Sequence, residues 1–312
     1  MSKSPNSSQN LLNKPFNNRV ITSGQIMKKI AIAVIGGSGL YQMDELKNPQ
    51  EHWIDTPFGK TSDAIITGYI GDVEVAFLAR HGRGHRLIPS EVPYLANIYA
   101  LKSLGVQYLI SMSAVGSLKE DVKPLDMLLP DQFIDLTKSR QQTFFGSGAV
   151  AHVSMAQPVC AALANILAES FEQAAIENSQ LHRAGTYVCI EGPSFSTRAE
   201  SEWYRSMNAS VVGMTNMPEA KLAREASMAY ATLALVTDYD CWHQTAESVN
   251  AEMAIANLMK NAANAQQVVI NAILKLNERR PNSQAHQALD AALVTPREQM
   301  SPETKARISI FL

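Results

Sequence analysis

Short apolar runs recur along this chain, separated by segments of helical periodicity, and that alternation constrains its fold more than any other feature. KIAIAVI (29–35), VEVAFLA (73–79), VQYLISM (106–112), TYVCI (186–190) and AYATLALVT (229–237) read as strands, as do 125–134 and 210–214. Between them lie helical patterns. Over 89–105, Pro89 and Ser90 open a helix, Leu95, Ile98 and Leu101 make its face, and Gly105 closes it. Further helices are expected over 154–177, over 218–227 behind Pro218, and over 248–277. In the last, Val249, Met253, Ala256, Met259, Ala263, Val269, Ile273 and Leu276 fall near helical spacing. Strands alternating with helices predict one α/β domain built on a mixed central sheet flanked by helices.

The chain has 312 residues, 46% of them hydrophobic and 18% charged, ample for a large core. A formal net charge of −2 with no basic stripe argues against nucleic acid as a partner. Its cysteines, Cys160, Cys189 and Cys241, are scattered, odd in number and free of zinc-type spacing, which fits a reduced, cytoplasmic protein. No apolar run approaches the roughly 18 residues of a membrane helix. Residues 1–27 differ from the rest. They are rich in Asn and Ser, no acid precedes Asp44, and no apolar signal core is present. The missing acids are a transit-peptide trait, but a disordered extension fits the composition better. Met27 stands where a shorter chain would start. The expected domain is 28–293, with a helix-like stretch at 283–293 and a tail, 294–312, that the pattern does not place.

Polar residues gather just past the strands. Ser38 follows 29–35, Arg80 and His81 follow 73–79, and Ser113 follows 106–112. Met214 and Thr215 follow 210–214, and Asp238 and Asp240 follow 229–237. In open α/β sheets the carboxyl edge is where ligands bind.

Each cluster has its own chemistry. Gly37-Ser38-Gly39 supplies half of a dinucleotide fingerprint, but Gln42 stands where the third glycine belongs, and Pro49 and Pro57 interrupt the helix that the fingerprint needs next. A nicotinamide-dependent dehydrogenase is therefore disfavoured. The turn suits one phosphate, held by backbone N–H groups and the Ser38 hydroxyl, or is an ordinary tight turn. LARHGRGHRLIP (78–89) crowds Arg80, His81, Arg83, His85 and Arg86 around two glycines. Arginine forks suit phosphate, whereas Gly82 and Gly84 break the helix that His81 and His85 would need to share a metal. A solvated basic loop is the alternative. Ser113, Ala114 and Gly116 are small enough for a backbone to approach an anion or a sugar. Phe195, beside Gly192-Pro193, can stack on a flat ring or pack in the core. Arg198, Glu200 and Glu202 read as structural or solvated. Asp238 and Asp240 end an apolar strand, where a raised pKa makes a proton donor and a carboxylate accepts from an amino group; loop capping is the plainer alternative.

Together, VIGGSGL, DTPFGKTSDAI, LARHGRGHRLIPSEVPYLANIYALKSLGV, SAVGSL, DQFIDLTKSR, IEGPSFSTRAE, GMTNMPEAKLAREA and TDYDCW resemble the S-methyl-5′-thioadenosine phosphorylase family, in the trimeric branch of the purine nucleoside phosphorylases. The resemblance covers roughly 29–290, and TDYDCW picks out the aminopurine-using members. It implies the purine nucleoside phosphorylase-like fold, a homotrimer, no metal and no organic cofactor. The implied reaction converts 5′-methylthioadenosine and inorganic phosphate to adenine and 5-methylthioribose 1-phosphate, in purine and methionine salvage.

The resemblance also implies site residues. The phosphate site would comprise Ser38, Arg80, His81, Ser113, Ala114 through its backbone, and Thr215. Met214 would lie under the ribose, Phe195 and Ser196 would flank the base, and Asp238 and Asp240 would hold adenine at N7 and the 6-amino group. Asp238 would be the catalytic residue. His152, in AHVSMAQP, matches a position that closes the 5′ pocket of a neighbouring subunit, and is otherwise a surface histidine. Relatives that use 6-oxopurines carry Asn at the place of Asp238. The 5′ side is expected to be apolar, with Met214, His152 and residues near Val249 as candidates. Ser38 and Ser113 replace the Thr of many relatives but keep the hydroxyl, and Ser194 stands where relatives often carry Arg. The rival within this fold is a 5′-methylthioinosine or 6-oxopurine nucleoside phosphorylase. The rival outside it, a non-catalytic nucleotide-binding module, would need an incomplete phosphate cluster.

Overall fold

The computed structural model of the chain describes residues 18–21, 29–37, 44–243 and 251–312, with side chains described outside 18–21 and 251–255. The strands are β1 (Asn18–Ile21), β2 (Ile32–Gly36), β3 (Lys47–Ile54), β4 (Ile65–Ile70), β5 (Val73–Ala79), β6 (Tyr108–Ser117), β7 (Met127–Leu128), β8 (Gln132–Asp135), β9 (Leu181–His182), β10 (Thr186–Cys189), β11 (Val211–Gly213) and β12 (Ala229–Asp238). The helices are α1 (Tyr94–Ser103), α2 (Ala161–Ala174), α3 (Arg198–Ser206), α4 (Asn216–Glu225), α5 (Ala251–Arg279) and α6 (Pro302–Ile308).

One mixed sheet runs in the order β1-β3-β4-β5-β2-β6-β11-β10-β8, with β12 paired to β6 and β7, and β9 paired to β7. The central pairs β5–β2, β2–β6 and β6–β12 are parallel, whereas β3–β4, β4–β5 and β6–β11 are antiparallel. Central strands bury both faces. In β2, Ala33 and Ile35 pack into one core, and Ile32 and Val34 into the other. In β12, Tyr230, Ala234 and Val236 face the first core, and Ala231, Leu233 and Leu235 the second. Helices α1 and α4 cover one face, and α2 and α5 the other. Each fully buried Ile, Leu or Phe contributes on the order of 2 kcal/mol. No helix among the described residues is long and apolar enough to cross a membrane.

Prolines account for most boundary differences from the sequence reading. The helix expected over 89–105 splits into a short 3-10 turn, Pro89–Glu91, and α1, because Val92 precedes Pro93 and is driven to an extended conformation. The strand expected over 125–134 breaks into β7 and β8 around Pro130, which has no N–H for a ladder. α2 starts only at Ala161, after Pro158, and ends where Ala175 turns left-handed. The helix-like stretch at 283–293 holds only the 3-10 turn Gln284–Gln287. β1, β3 and β4 were not expected; β1 lies in the stretch read as a disordered extension, where NRVI pairs in parallel with β3. β3 carries Pro49, and its pairing with β4 slips between Lys47 and Gln50, the kind of irregularity that accommodates proline in a strand. The tail after 294 forms α6, and Ile308, Phe311 and Leu312 pack on the first core.

Candidate active site

The site begins as a gap in the sheet. β2 pairs with β6 only as far as Ile35 opposite Ser111, while β11 joins the same edge of β6 at Gly116. Between them the edge of β6 has no partner strand among the described residues. Met112 turns its carbonyl toward this gap, where it accepts from Arg80 Nη1 at 2.9 Å. Val115 turns its carbonyl the opposite way, to the Thr237 hydroxyl at 3.2 Å. Alternation along a strand therefore directs the Ala114 N–H into the gap. A cavity of about 670 Å³ opens there, lined by Gly37, Arg80, His81, Ser113, Ala114, Phe195, Ser196, Met214, Thr215, Asp238 and Asp240, among others. Thus every site residue expected from the sequence and described by the structure lines this one cavity, except His152. Ser38 and Val249 lie outside the described residues. His152 is exposed, in a segment where its N–H donates to Ala292 at 2.8 Å.

Arg80 is almost entirely committed. Nε donates to Glu219 Oε2 at 2.6 Å, and Nη2 donates to Glu219 Oε1 at 2.9 Å and to Ser111 Oγ at 2.8 Å. Glu219 Oε1 also accepts from the hydroxyls of Ser111 at 2.7 Å and Tyr230 at 2.9 Å. This network holds a full positive charge beside the gap, and the Glu219 carboxylate raises the Arg80 pKa still further despite burial. Nearby, Ser113 Oγ lies 3.0 Å from the Tyr187 hydroxyl and 3.2 Å from that of Thr215. Ala114 N–H, two hydroxyls, a guanidinium and the His81 ring therefore converge where a small anion would sit.

Arg83 does otherwise. It pairs with Glu51 at 2.6 Å and Asp63 at 2.8 Å, pinning the loop to β3 and the segment before β4. Of the basic loop, His85 and Arg86 reach the cavity, Arg86 while donating to the Ser62 carbonyl at 2.6 Å.

The acidic end is shaped by a β-bulge. Val236 pairs with Val115 and Asp238 with Gly116, so Thr237 is the extra residue and Asp238 is re-aimed. Asp238 accepts from Thr237 Oγ1 at 2.6 Å and from the Asp240 N–H at 2.9 Å. Burial still raises its pKa. Burial also raises that of Asp240, with the Ser201 hydroxyl the chief opposing influence. Asp240 lines the cavity, and its Oδ2 is buried without a well-formed hydrogen bond among the described residues. Gly116 makes room: a Cβ there would come within 2.9 Å of Asp238 Oδ1.

Several structural partners carry no signal in the local sequence. Arg140, one residue in the quoted stretch DQFIDLTKSR, is buried and donates to the carbonyls of Met214 at 2.7 Å, Met217 at 2.6 Å and Glu191 at 2.8 Å. It thereby fixes the segment carrying Met214 and Thr215. Glu219 and Tyr187 likewise had no local signal, because their partners lie far away in sequence. α3 did have one: Thr197 and Glu200 form a capping box, so Arg198, Glu200 and Glu202 sit on a helix.

Comparison with known proteins agrees with this geometry. Residues 31–275 match the phosphorylase superfamily. The chain is 56% identical over 281 residues to the S-methyl-5′-thioadenosine phosphorylase of Thermosynechococcus vestitus, covering 90% of this chain and 97% of that one. It is 54% identical over 292 residues to the enzyme of that name from Synechocystis sp., covering 94% and 90%. Among solved structures, a methylthioadenosine phosphorylase from an antarctic soil metagenomic library superposes with a TM-score of 0.88 at 63% identity, covering 91% of this chain and 100% of that one. The Schistosoma mansoni methylthioadenosine phosphorylase, solved with adenine, gives 0.77 at 36% identity, covering 80% and 93%.

Proposed function

Because the chain belongs to the phosphorylase superfamily and, within it, to the S-methyl-5′-thioadenosine phosphorylases, we propose that it cleaves 5′-methylthioadenosine with inorganic phosphate. The products are adenine and 5-methylthioribose 1-phosphate. The observation that carries this reading is the presence of two opposed clusters on one cavity: anion donors around Arg80 and buried carboxylates at Asp238 and Asp240.

The chemistry needs both ends. As the bond from C1′ to N9 breaks, its electron pair goes to the purine and positive charge builds on the ribose. A phosphate dianion held by the Ala114 N–H, the hydroxyls of Ser113 and Thr215, and the Arg80 and His81 side chains stabilises that cation, then captures it through oxygen. Ser38, which lies outside the described residues, is assigned to the same site by the resemblance alone. The departing purine takes a proton at N7, which Asp238 supplies or shares; its raised pKa suits that task. The hydrogen lost when hydrogenphosphate becomes an ester balances the one gained by adenine.

Asp240 Oδ2 accepts from the 6-amino group. A 6-oxo group would set acceptor against acceptor at this carboxylate pair, costing on the order of 1–3 kcal/mol, whereas an amide in place of Asp238 would donate to it. Phe195 and Ser196 flank the base, and Met214 lies under the ribose. His152 acts in a neighbouring subunit of a homotrimer. Exposed Val150 and Val294, joined through the Val150 carbonyl and Val294 N–H at 2.8 Å, form an apolar surface beside it that suits a subunit contact.

The test is direct. Purified protein is assayed with 5′-methylthioadenosine, 5′-methylthioinosine, adenosine and inosine, each with and without phosphate. Phosphate-dependent adenine release, fastest from methylthioadenosine, is expected. Hypoxanthine release alone would overturn the base assignment.

A further inference from the structure

His81 is held in one tautomer. Its Nδ1 lies 2.9 Å from the Leu87 carbonyl oxygen. A carbonyl oxygen only accepts, so Nδ1 carries the ring hydrogen. The ring stacks on His85, with centroids 4.2 Å apart and planes 12° apart, which fixes its orientation. His81 lines the cavity, and Nε2 has no hydrogen-bond partner among the described residues. In the neutral ring that nitrogen is a bare lone pair.

The surroundings keep the ring neutral. Burial, the Arg80 guanidinium and His85 bring its pKa down to about 4, with the Leu87 carbonyl opposing. The ionisable groups around it are Arg80, His85 and Arg86 of its own loop and Arg140 from the loop after β8, with Glu219 of α4 bonded to Arg80. Arg80 and Arg140 oppose a further positive charge, and Glu219 is spent on Arg80.

A neutral acceptor in an anion site is selective. Sulfate presents four oxygens without a hydrogen, so one of them would meet the Nε2 lone pair. Hydrogenphosphate keeps one O–H at neutral and mildly alkaline pH. We propose that His81 Nε2 accepts a hydrogen bond from the protonated oxygen of the bound anion, making the site selective for hydrogenphosphate and hydrogenarsenate over sulfate. This rests on the phosphate-site assignment above. The contact also sorts the oxygens of the nucleophile. The protonated one faces His81, and the unprotonated ones remain for the Ala114 N–H, the Ser113 and Thr215 hydroxyls, and C1′.

Titration calorimetry of the full chain with inorganic phosphate and with sodium sulfate, at constant ionic strength from about pH 5.5 to about pH 8.5, tests this. Sulfate can bind well only if His81 takes up a proton. Its dissociation constant is therefore expected to fall up to about tenfold for each unit of falling pH. Phosphate shows no such slope above about pH 8, where it is already the hydrogenphosphate dianion, and binds about tenfold or more tighter than sulfate there. In His81→Asn the amide can donate to an unprotonated oxygen, so the phosphate-to-sulfate ratio drops about tenfold and the sulfate slope disappears. Equal affinities with a pH-independent sulfate constant in the unaltered protein would overturn the inference, whether or not the variant folds. If phosphate binds and sulfate matches it, only this inference falls. If neither anion binds at millimolar concentration, the phosphate-site assignment falls with it.

Discussion

Glu219 grips the Arg80 guanidinium at two points, Nε to Oε2 at 2.6 Å and Nη2 to Oε1 at 2.9 Å, with both side chains out of solvent. The pair joins α4 to the end of β5 and, through Ser111 and Tyr230, to β6 and β12. It stands at the gap where β2 and β6 part. A buried charge at that place is tolerable only because its partner is buried with it.

Glu219→Gln removes the charge that neutralises Arg80 and keeps the shape. The expected cost is about 3–5 kcal/mol, since an uncompensated buried cation remains. Urea unfolding of the variant and the parent chain measures it. The phosphate KM should rise in parallel, because the guanidinium loses its anchor; a variant as stable as its parent would show that the pair does not hold the fold.

Gly116→Ala tests the acidic end without touching an acid. Its Cβ would lie 2.9 Å from Asp238 Oδ1 and 3.3 Å from Asp240 Cβ, displacing both carboxylates. Crowding of this kind costs about 1–3 kcal/mol. The nucleoside KM should rise about tenfold or more, with a much smaller change for phosphate. Steady-state kinetics with each substrate varied in turn separates the two; a rise confined to phosphate would contradict the division of the cavity.

Asp238→Asn exchanges a raised-pKa carboxyl for an amide that both donates and accepts. The ratio of kcat/KM for methylthioadenosine over methylthioinosine should drop by about 10–100-fold. An unaltered ratio counts against Asp238 as a determinant of the base.

Stability should depend on pH with two opposite signs. His81 is lowered to about 4 in the folded chain, so between about pH 4 and the ordinary value near 6.5 the unfolded chain binds more protons. Its contribution, about 3 kcal/mol, is complete above about pH 6.5 and is lost as the pH falls through 4. Asp238, Asp240 and Glu225 are raised by burial, so what they contribute is complete below about pH 4 and is lost as the pH rises through their folded values. Unfolding free energies of the parent and His81→Asn across this range should differ in slope between about pH 4 and 6.5. Parallel curves would refute the assignment of that slope to His81.

Much of this was legible in local pattern. The runs 73–79 and 229–237 became β5 and β12 almost residue for residue, because strands buried on both faces leave an unbroken apolar signature. Arg80 and His81 do follow β5, but Ser113 lies inside β6, Asp238 is the last residue of β12, and Met214 and Thr215 arrive from β11, which runs antiparallel to β6. They share one cavity because β2 and β11 leave the middle of β6 open between them. β3 was invisible because Pro49 and its exposed polar neighbours Lys47, Asn48 and Gln50 resemble a loop until β4 pairs with them. α3 carries a helix-start signal in Thr197 and Glu200, but its polar residues also fit a solvated loop.

The sequence by itself determined the α/β class, the central buried strands and the residue types available beside them, because hydrophobic periodicity and turn residues act over a few positions. Only the tertiary structure decided what those residues do to one another. Glu219 is 139 residues from Arg80, and Arg140 is 74 from the Met214 carbonyl that it holds. The tautomer of His81 depends on a backbone carbonyl, and the reach of Asp238 depends on a bulge beside Gly116. Charge, tautomer and pKa are set by what surrounds a group in space, and the folded chain brings those surroundings from segments that share no local pattern.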